Sequence, residues 1–158
     1  MVAKASTIVE GRILDARVEP HPQFKNLNTI VVRMSVSKTL KGSAARELTF
    51  RQFVWDVRDR YNRLGYLPGA EELILLGPNS QYGLTAPIGL EQGRFHLSTD
   101  ATGRKVAVNG RNNVGLFTTT NKGQTRLTLP RGVKPSGPIS EQDLSTQILN
   151  RTKGTSTK

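Results

Sequence analysis

Thr7-Ile8-Val9-Glu10-Gly11-Arg12-Ile13-Leu14-Asp15-Ala16-Arg17-Val18-Glu19 decides the fold. Val9, Gly11 and Ile13 alternate in one phase, and Leu14, Ala16 and Val18 alternate in the other. A period-2 pattern that slips by one residue predicts a single long strand with a bulge, and Gly11 eases the bend. Glu19-Pro20-His21-Pro22 then ends the strand, because proline has no N–H for a ladder.

The neighbouring stretches extend this pattern. Residues 29–37 alternate, with Ile30, Val32, Met34 and Val36 on one side and Thr29, Val31, Arg33, Ser35 and Ser37 on the other. Glu47–Phe53 is a third strand, with Leu48 and Phe50 inward. Residues 55–65 predict a short helix, with Val57, Tyr61 and Leu64 at i, i+4 and i+7. Asp56 with Arg60, and Asp59 with Arg63, are its i,i+4 pairs, and Gly65 is placed to end it. Leu73–Leu76, Gly93–Ser98 and Lys105–Val108 are further strands. A bent first strand and a helix between strands three and four predict a five-stranded OB-like Greek-key barrel over residues 7–110. Val9, Ile13, Val32, Met34, Val36, Leu48, Phe50, Leu73, Leu75, Phe95 and Leu97 are expected to be buried together.

Residues 111–138 read as an extended basic arm, with Arg111, Lys122, Arg126, Arg131 and Lys134, no acid, and a hairpin around Asn121–Gln124. The large apolar residues spaced through this region predict docking on the barrel or on a neighbouring copy, with Phe117 and Leu129 as anchors. A neighbouring copy would make residues 109–138 a route to self-association. Ser140 and Asp143 form a capping box that opens a helix, assigned to residues 139–151 and docked by Ile139, Leu144 and Ile148; a polar tail occupies 152–158.

With 158 residues, 35% hydrophobic and 22% charged, the chain suits one globular domain. It has no Cys, which excludes disulfides, thiolate metal sites and a Cys nucleophile. No apolar run approaches the roughly 20 residues of a spanning helix. The first residues lack the apolar stretch of a signal peptide, which fits a cytoplasmic protein or a mature chain whose leader was replaced by Met1.

Catalytic patterns are weak. Ser35-Val36-Ser37-Lys38 matches the Ser-x-x-Lys of acyl-transfer enzymes, but in a strand its Ser and Lys point to opposite faces. Glu71 and Glu72 are adjacent and point apart, whereas catalytic carboxylates face each other across about 5 to 9 Å. His21 and His96 read as surface residues, and no cofactor or metal site is expected.

The balance of 23 Lys and Arg against 12 Asp and Glu, a net charge of +11, points to anionic partners. Candidate polyanion contacts are Arg33, Arg51, Arg58, Arg60 and Arg63, together with the five basic residues of the arm. Trp55, Tyr61 and Tyr66 are candidate aromatic contacts. OB-folds bind single strands by stacking bases on aromatics in a basic groove, yet the outward set on strand two contains no aromatic.

Four runs carry a resemblance: Ile8-Val9-Glu10-Gly11-Arg12; Val36 to Leu40-Lys41-Gly42; Pro68-Gly69-Ala70-Glu71-Glu72-Leu73-Ile74-Leu75-Leu76; and Gly89-Leu90-Glu91-Gln92-Gly93-Arg94-Phe95. They resemble uncharacterised exported bacterial proteins whose OB barrels are similar to tissue-inhibitor-of-metalloproteinase and netrin-like domains. The resemblance implies an OB barrel and an extracytoplasmic location. Metalloproteinase inhibitors reach the metal with an N-terminal Cys that this chain lacks, so that activity is not implied. The expectation is a non-enzymatic binding or interaction module for another protein or an anionic surface polymer. The alternative is a sequence-tolerant single-stranded nucleic-acid binder.

Overall fold

The computed structural model describes residues 1–118 and 127–154. In chain order its elements are β1 (Thr7–Pro20), β2 (Asn28–Lys41), β3 (Glu47–Phe53), α1 (Val57–Tyr61), β4 (Glu71–Leu76), β5 (Arg94–Thr99) and β6 (Lys105–Asn109). Short strands β7 (Phe117–Thr118), β8 (Leu127–Thr128) and β9 (Ile139–Ser140) follow, and then α2 (Glu141–Gly154). The protein is mainly β. A seven-stranded antiparallel open sheet has the order β3-β2-β1-β4-β5-β6-β9, and β7 pairs with β8 in parallel.

β1 is irregular against β2, with register shifts between Ile8 and Val9, Glu10 and Gly11, and Ile13 and Asp15. The last falls where the sequence pattern slips, so Ile13 and Ala16 are both buried while Leu14 lies outside. Val18, in phase with Ala16, is nevertheless partly exposed. Gly11 permits a close crossing, since a Cβ there would stand 1.8 Å from the carbonyl oxygen of Ser35. Gly11→Ala must push β2 away, and an expected loss of about 1–3 kcal/mol is checked by urea denaturation.

The sheet has two cores rather than the single one expected. Val9, Ile13, Val32, Met34 and Phe50 pack with Ile30, Val54, Tyr66, Ile74 and Leu76, and Val36 and Leu48 sit at the margin. Leu73, Leu75, Phe95 and Leu97 pack instead with Ile8, Ile139, Leu144 and Ile148. The division runs through β4, whose Leu73 and Leu75 alternate with Ile74 and Leu76, all of them buried. A strand covered on both faces carries a continuous apolar run, and alternation cannot then reveal which face belongs to which core.

The second core incorporates the C-terminal third. Leu116, Phe117 and Leu127 are buried in it, with Leu129 and Val133 packed at its margin. The described part of the segment thus docks on its own chain, with Leu129 and Val133 only half-buried and Val114 exposed. The hairpin expected around Asn121–Gln124 lies outside the described residues. Ser140 Oγ accepts from the Asp143 N–H at 3.4 Å, and α2 runs on to Gly154. Ile139 belongs to β9, opposite Ala107. Lys38 ties the helix down, 2.9 Å from Glu141 and 3.5 Å from Glu10.

Among the described residues, no further strand pairs with β3 on its outer edge. The loop after β4 reaches it instead: the Thr85 N–H donates to Arg51 O at 2.9 Å, while the Gly77 N–H donates to Ala86 O at 3.0 Å beside the end of β4. His21, expected at the surface, is buried beneath this region. Its Nδ1 accepts the Gln23 and Phe24 N–H groups at 3.1 and 3.2 Å, so Nε2 carries the proton and donates to Tyr82 O at 2.8 Å. No described helix is long and apolar enough to cross a membrane.

Candidate functional site

The spacing of Val57, Tyr61 and Leu64 predicts one helix between β3 and β4. The segment is not one helix. α1 stops after a turn and a half, with Asn62 as its C-cap, and Arg63 and Leu64 take left-handed φ angles of 51° and 53°. Non-glycine residues seldom occupy that region, so something must hold them there. Asp56 is the N-cap, accepting the Arg58 N–H at 2.7 Å, and its nearest cation is Arg58 rather than Arg60. No ion pair joins Asp59 to Arg63 among the described residues.

Arg94 holds the strained turn. Its Nη1 donates to Leu64 O at 2.6 Å and its Nη2 to Gly65 O at 2.8 Å. The same guanidinium forms a fork onto Glu72, with Nε to Oε2 at 2.7 Å and Nη2 to Oε1 at 2.5 Å. Its carbon stands 3.7 Å from the centre of the Tyr66 ring, and the Tyr66 hydroxyl donates to Gln52 Oε1 at 2.9 Å. Glu72, Arg94, Tyr66 and Gln52 are all buried. Tyr66, a candidate aromatic contact by sequence, is instead part of this internal network, as is Glu72. No local pattern announces the pair, because Ile74 rather than Glu72 faces Arg94 in the ladder and the two meet on the diagonal.

Burial alone would raise the Glu72 carboxyl above the usual carboxylate range, but the Arg94 bonds and then His96, 3.4 Å away, outweigh it and hold it below. Burial pushes the Tyr66 phenol upward, so it stays a donor. A carboxyl lowered on folding stabilises the fold above its ordinary value near 4.3, and that contribution is lost as pH falls through the folded value. The urea midpoint is therefore expected to hold from pH 7 to about 5 and to drop below about 4. A flat profile down to pH 3 would show that Glu72 does not ionise against Arg94.

What this frame presents is exposed. Trp55 is 89% exposed, Tyr61 87% and Val57 74%. Trp55 stands edge-on to Phe53, with ring centres 4.6 Å apart. A groove between α1 and β1 is lined by Val18, Val57, Arg60, Tyr61 and Arg63, and a second groove, toward β3, by Phe53, Trp55, Pro78, Leu84 and Leu90. Arg58, Arg60 and Arg63 are exposed alongside Asp56 and Asp59. The surface is thus aromatic and mixed in sign rather than a basic track.

The other nominated cations are elsewhere or already engaged. Arg33 pairs with Glu47 at 2.9 Å across β2 and β3. Arg51 pairs with Glu19 at 3.1 Å and donates to Thr29 Oγ1 at 2.7 Å. That contact helps to bury Thr29, and Val31 is buried too, although both were expected to face outward. Arg111, Arg131 and Lys134 are exposed on loops around β7 and β8, which pack into the second core. Lys122 and Arg126 lie outside the described residues. Among the described residues, Arg58, Arg60 and Arg63 are the nominated cations that share a segment with Trp55 and Tyr61. No protein-family model matches this chain, and neither a curated protein nor a solved structure matches it.

Proposed function

We propose that the protein is a non-enzymatic binding module that contacts another protein through the α1 surface. The observation that carries the reading is the exposure of Trp55, Val57 and Tyr61 beside three arginines, on a segment whose closing turn is bonded by Arg94 at the carbonyls of Leu64 and Gly65. Trp, Tyr and Arg dominate the energetic centres of protein interfaces, and preorganisation lowers the entropy lost on binding. The mixed charge of the patch favours a protein over a simple polyanion. The net charge of +11 adds salt-sensitive attraction to anionic surfaces. The reading includes an OB-like barrel, supported by the neighbour order β3-β2-β1-β4-β5 and by the Thr85-to-Arg51 bond across its gap. Action outside the cytoplasm rests on the sequence resemblance of residues 7–110 alone.

Exposed Trp55 and Tyr61 also favour a second reading, in which they stack single-stranded bases. One measurement separates the two. Trp55 is the sole tryptophan, so its fluorescence reports on this surface directly. Oligothymidine is expected to bind only at low salt and to dissociate by about 0.5 M, as counterion release dictates. Quenching that survives about 0.5 M salt and is lost in Tyr61→Ala would instead establish stacking and overturn the protein-partner reading. Against a protein partner, Trp55→Ala and Tyr61→Ala are each expected to weaken binding about thirtyfold.

A further inference from the structure

Between the α1 segment, which contributes Asp59 and Leu64, and the loop before β5, which contributes Pro87, Leu90 and Glu91, lies a cavity of about 160 Å³. That is close to the roughly 150 Å³ void that accepts a benzene molecule, so it suits one amino-acid residue. Its chemistry is graded. Tyr66, Gln52 and Arg94 line it and are each more than nine-tenths buried, which makes them the floor. Asp59, Leu90 and Glu91 line it too and are exposed, which makes them the rim.

The floor supplies donors. Gln52 uses its Oε1 on the Tyr66 hydroxyl, and its Nε2 has no partner among the described residues. Arg94 has one Nη1–H left after its bonds to Glu72, Leu64 and Gly65. The rim supplies carboxylates. Neither Asp59 nor Glu91 is ion-paired among the described residues, in a chain with 23 basic side chains. Glu72 pairs with Arg94, on which Glu91 also acts through space, so two rim carboxylates face a single arginine that is already paired. A simple anion is repelled at the rim, and a cationic head driven to the floor meets Arg94. The complementary ligand carries a cation at the mouth and an acceptor just beyond it.

We infer that this cavity captures the N-terminal residue of a partner polypeptide. The α-ammonium lies between Asp59 and Glu91, the first carbonyl accepts from Gln52 Nε2, and the side chain rests on Leu64 and Leu90. This rests on the α1 surface being a protein-binding site and specifies which part of the partner enters it.

The test uses the full chain and three small probes, followed by the amide resonances of Leu64 and Tyr66. Leucinamide carries both ammonium and carbonyl, N-acetyl-leucinamide lacks the cation, and isoamylamine lacks the carbonyl. Leucinamide is expected to bind with millimolar affinity and each of the others at least about tenfold more weakly. The Asp59→Asn/Glu91→Gln variant is expected to lose leucinamide binding while keeping the folded spectrum, because neither carboxylate is in an ion pair among the described residues and Gln can keep the Glu91 contact with Gly110. Equal binding of N-acetyl-leucinamide or of isoamylamine, or no response to leucinamide, overturns the inference. Trp55→Ala is expected to keep leucinamide binding. Failure of the α1 reading would appear in that variant's affinity for a protein partner, and failure of the N-terminal pocket in the probe series.

Discussion

Arg94→Met is expected to destabilise the fold by about 3–5 kcal/mol, the usual consequence of leaving one member of a buried ion pair unmatched. Glu72 is completely buried, and its two strongest partners are the Nε and Nη2 of Arg94. Without them the carboxyl must take up a proton or draw in water. The carbonyls of Leu64 and Gly65 also lose their donors, so the left-handed turn that follows α1 is no longer held. Urea denaturation measures the first effect. A shift of Tyr61 amide resonances toward random-coil positions measures the second. Replacing both partners, as Glu72→Met/Arg94→Met, is expected to recover most of the stability, since an apolar pair of similar volume leaves no unmatched charge. The turn is not expected to recover, because methionine cannot donate to its carbonyls. A loss below about 1 kcal/mol in the single variant would mean that water already solvates Glu72.

Phe50→Ala is expected to cost about 3–5 kcal/mol, the range for truncating a buried phenylalanine. Phe50 packs among β1, β2 and β4 side chains, and its ring lies edge-on to Tyr66 with centres 5.8 Å apart. The void would therefore open beside the Arg94 network. Phe24→Ala is the control: that ring is 47% exposed and far less of its surface leaves water on folding. Its expected loss, under about 1.5 kcal/mol, comes mainly from contacts with His21 and Tyr82. Equal losses at the two positions in urea titrations would refute the assignment of Phe50 to the inner face of β3.

Local pattern made the strands legible. β3 spans Glu47–Phe53 as read, and the slip at Ile13 and Leu14 marks a true register shift in β1. These features survive because a strand with one wet face must alternate, and an extra residue must break the alternation. The α1 surface was legible in part. Trp55, Tyr61 and three arginines crowd into nine residues, but the spacing also matched a helix with an apolar face. The carbonyl bonds from Arg94, 30 residues away, accompany its stop at Tyr61.

Composition and alternation thus determined by themselves that the chain folds as a mainly β domain with a bent first strand and a C-terminal helix. These are properties of neighbouring residues and need no knowledge of what lies across the sheet. The tertiary structure decided everything that depends on a partner from elsewhere in the chain. It placed Leu73 and Ile74 in different cores, buried Glu72 against Arg94, took Tyr66 inside and His21 under a loop, and left Trp55 and Tyr61 in water. A charged or aromatic side chain is stable in either setting, provided that its hydrogen bonds are met or its surface is hydrated. Which setting applies is fixed by cross-strand register and by long-range contacts, and no local spacing encodes those.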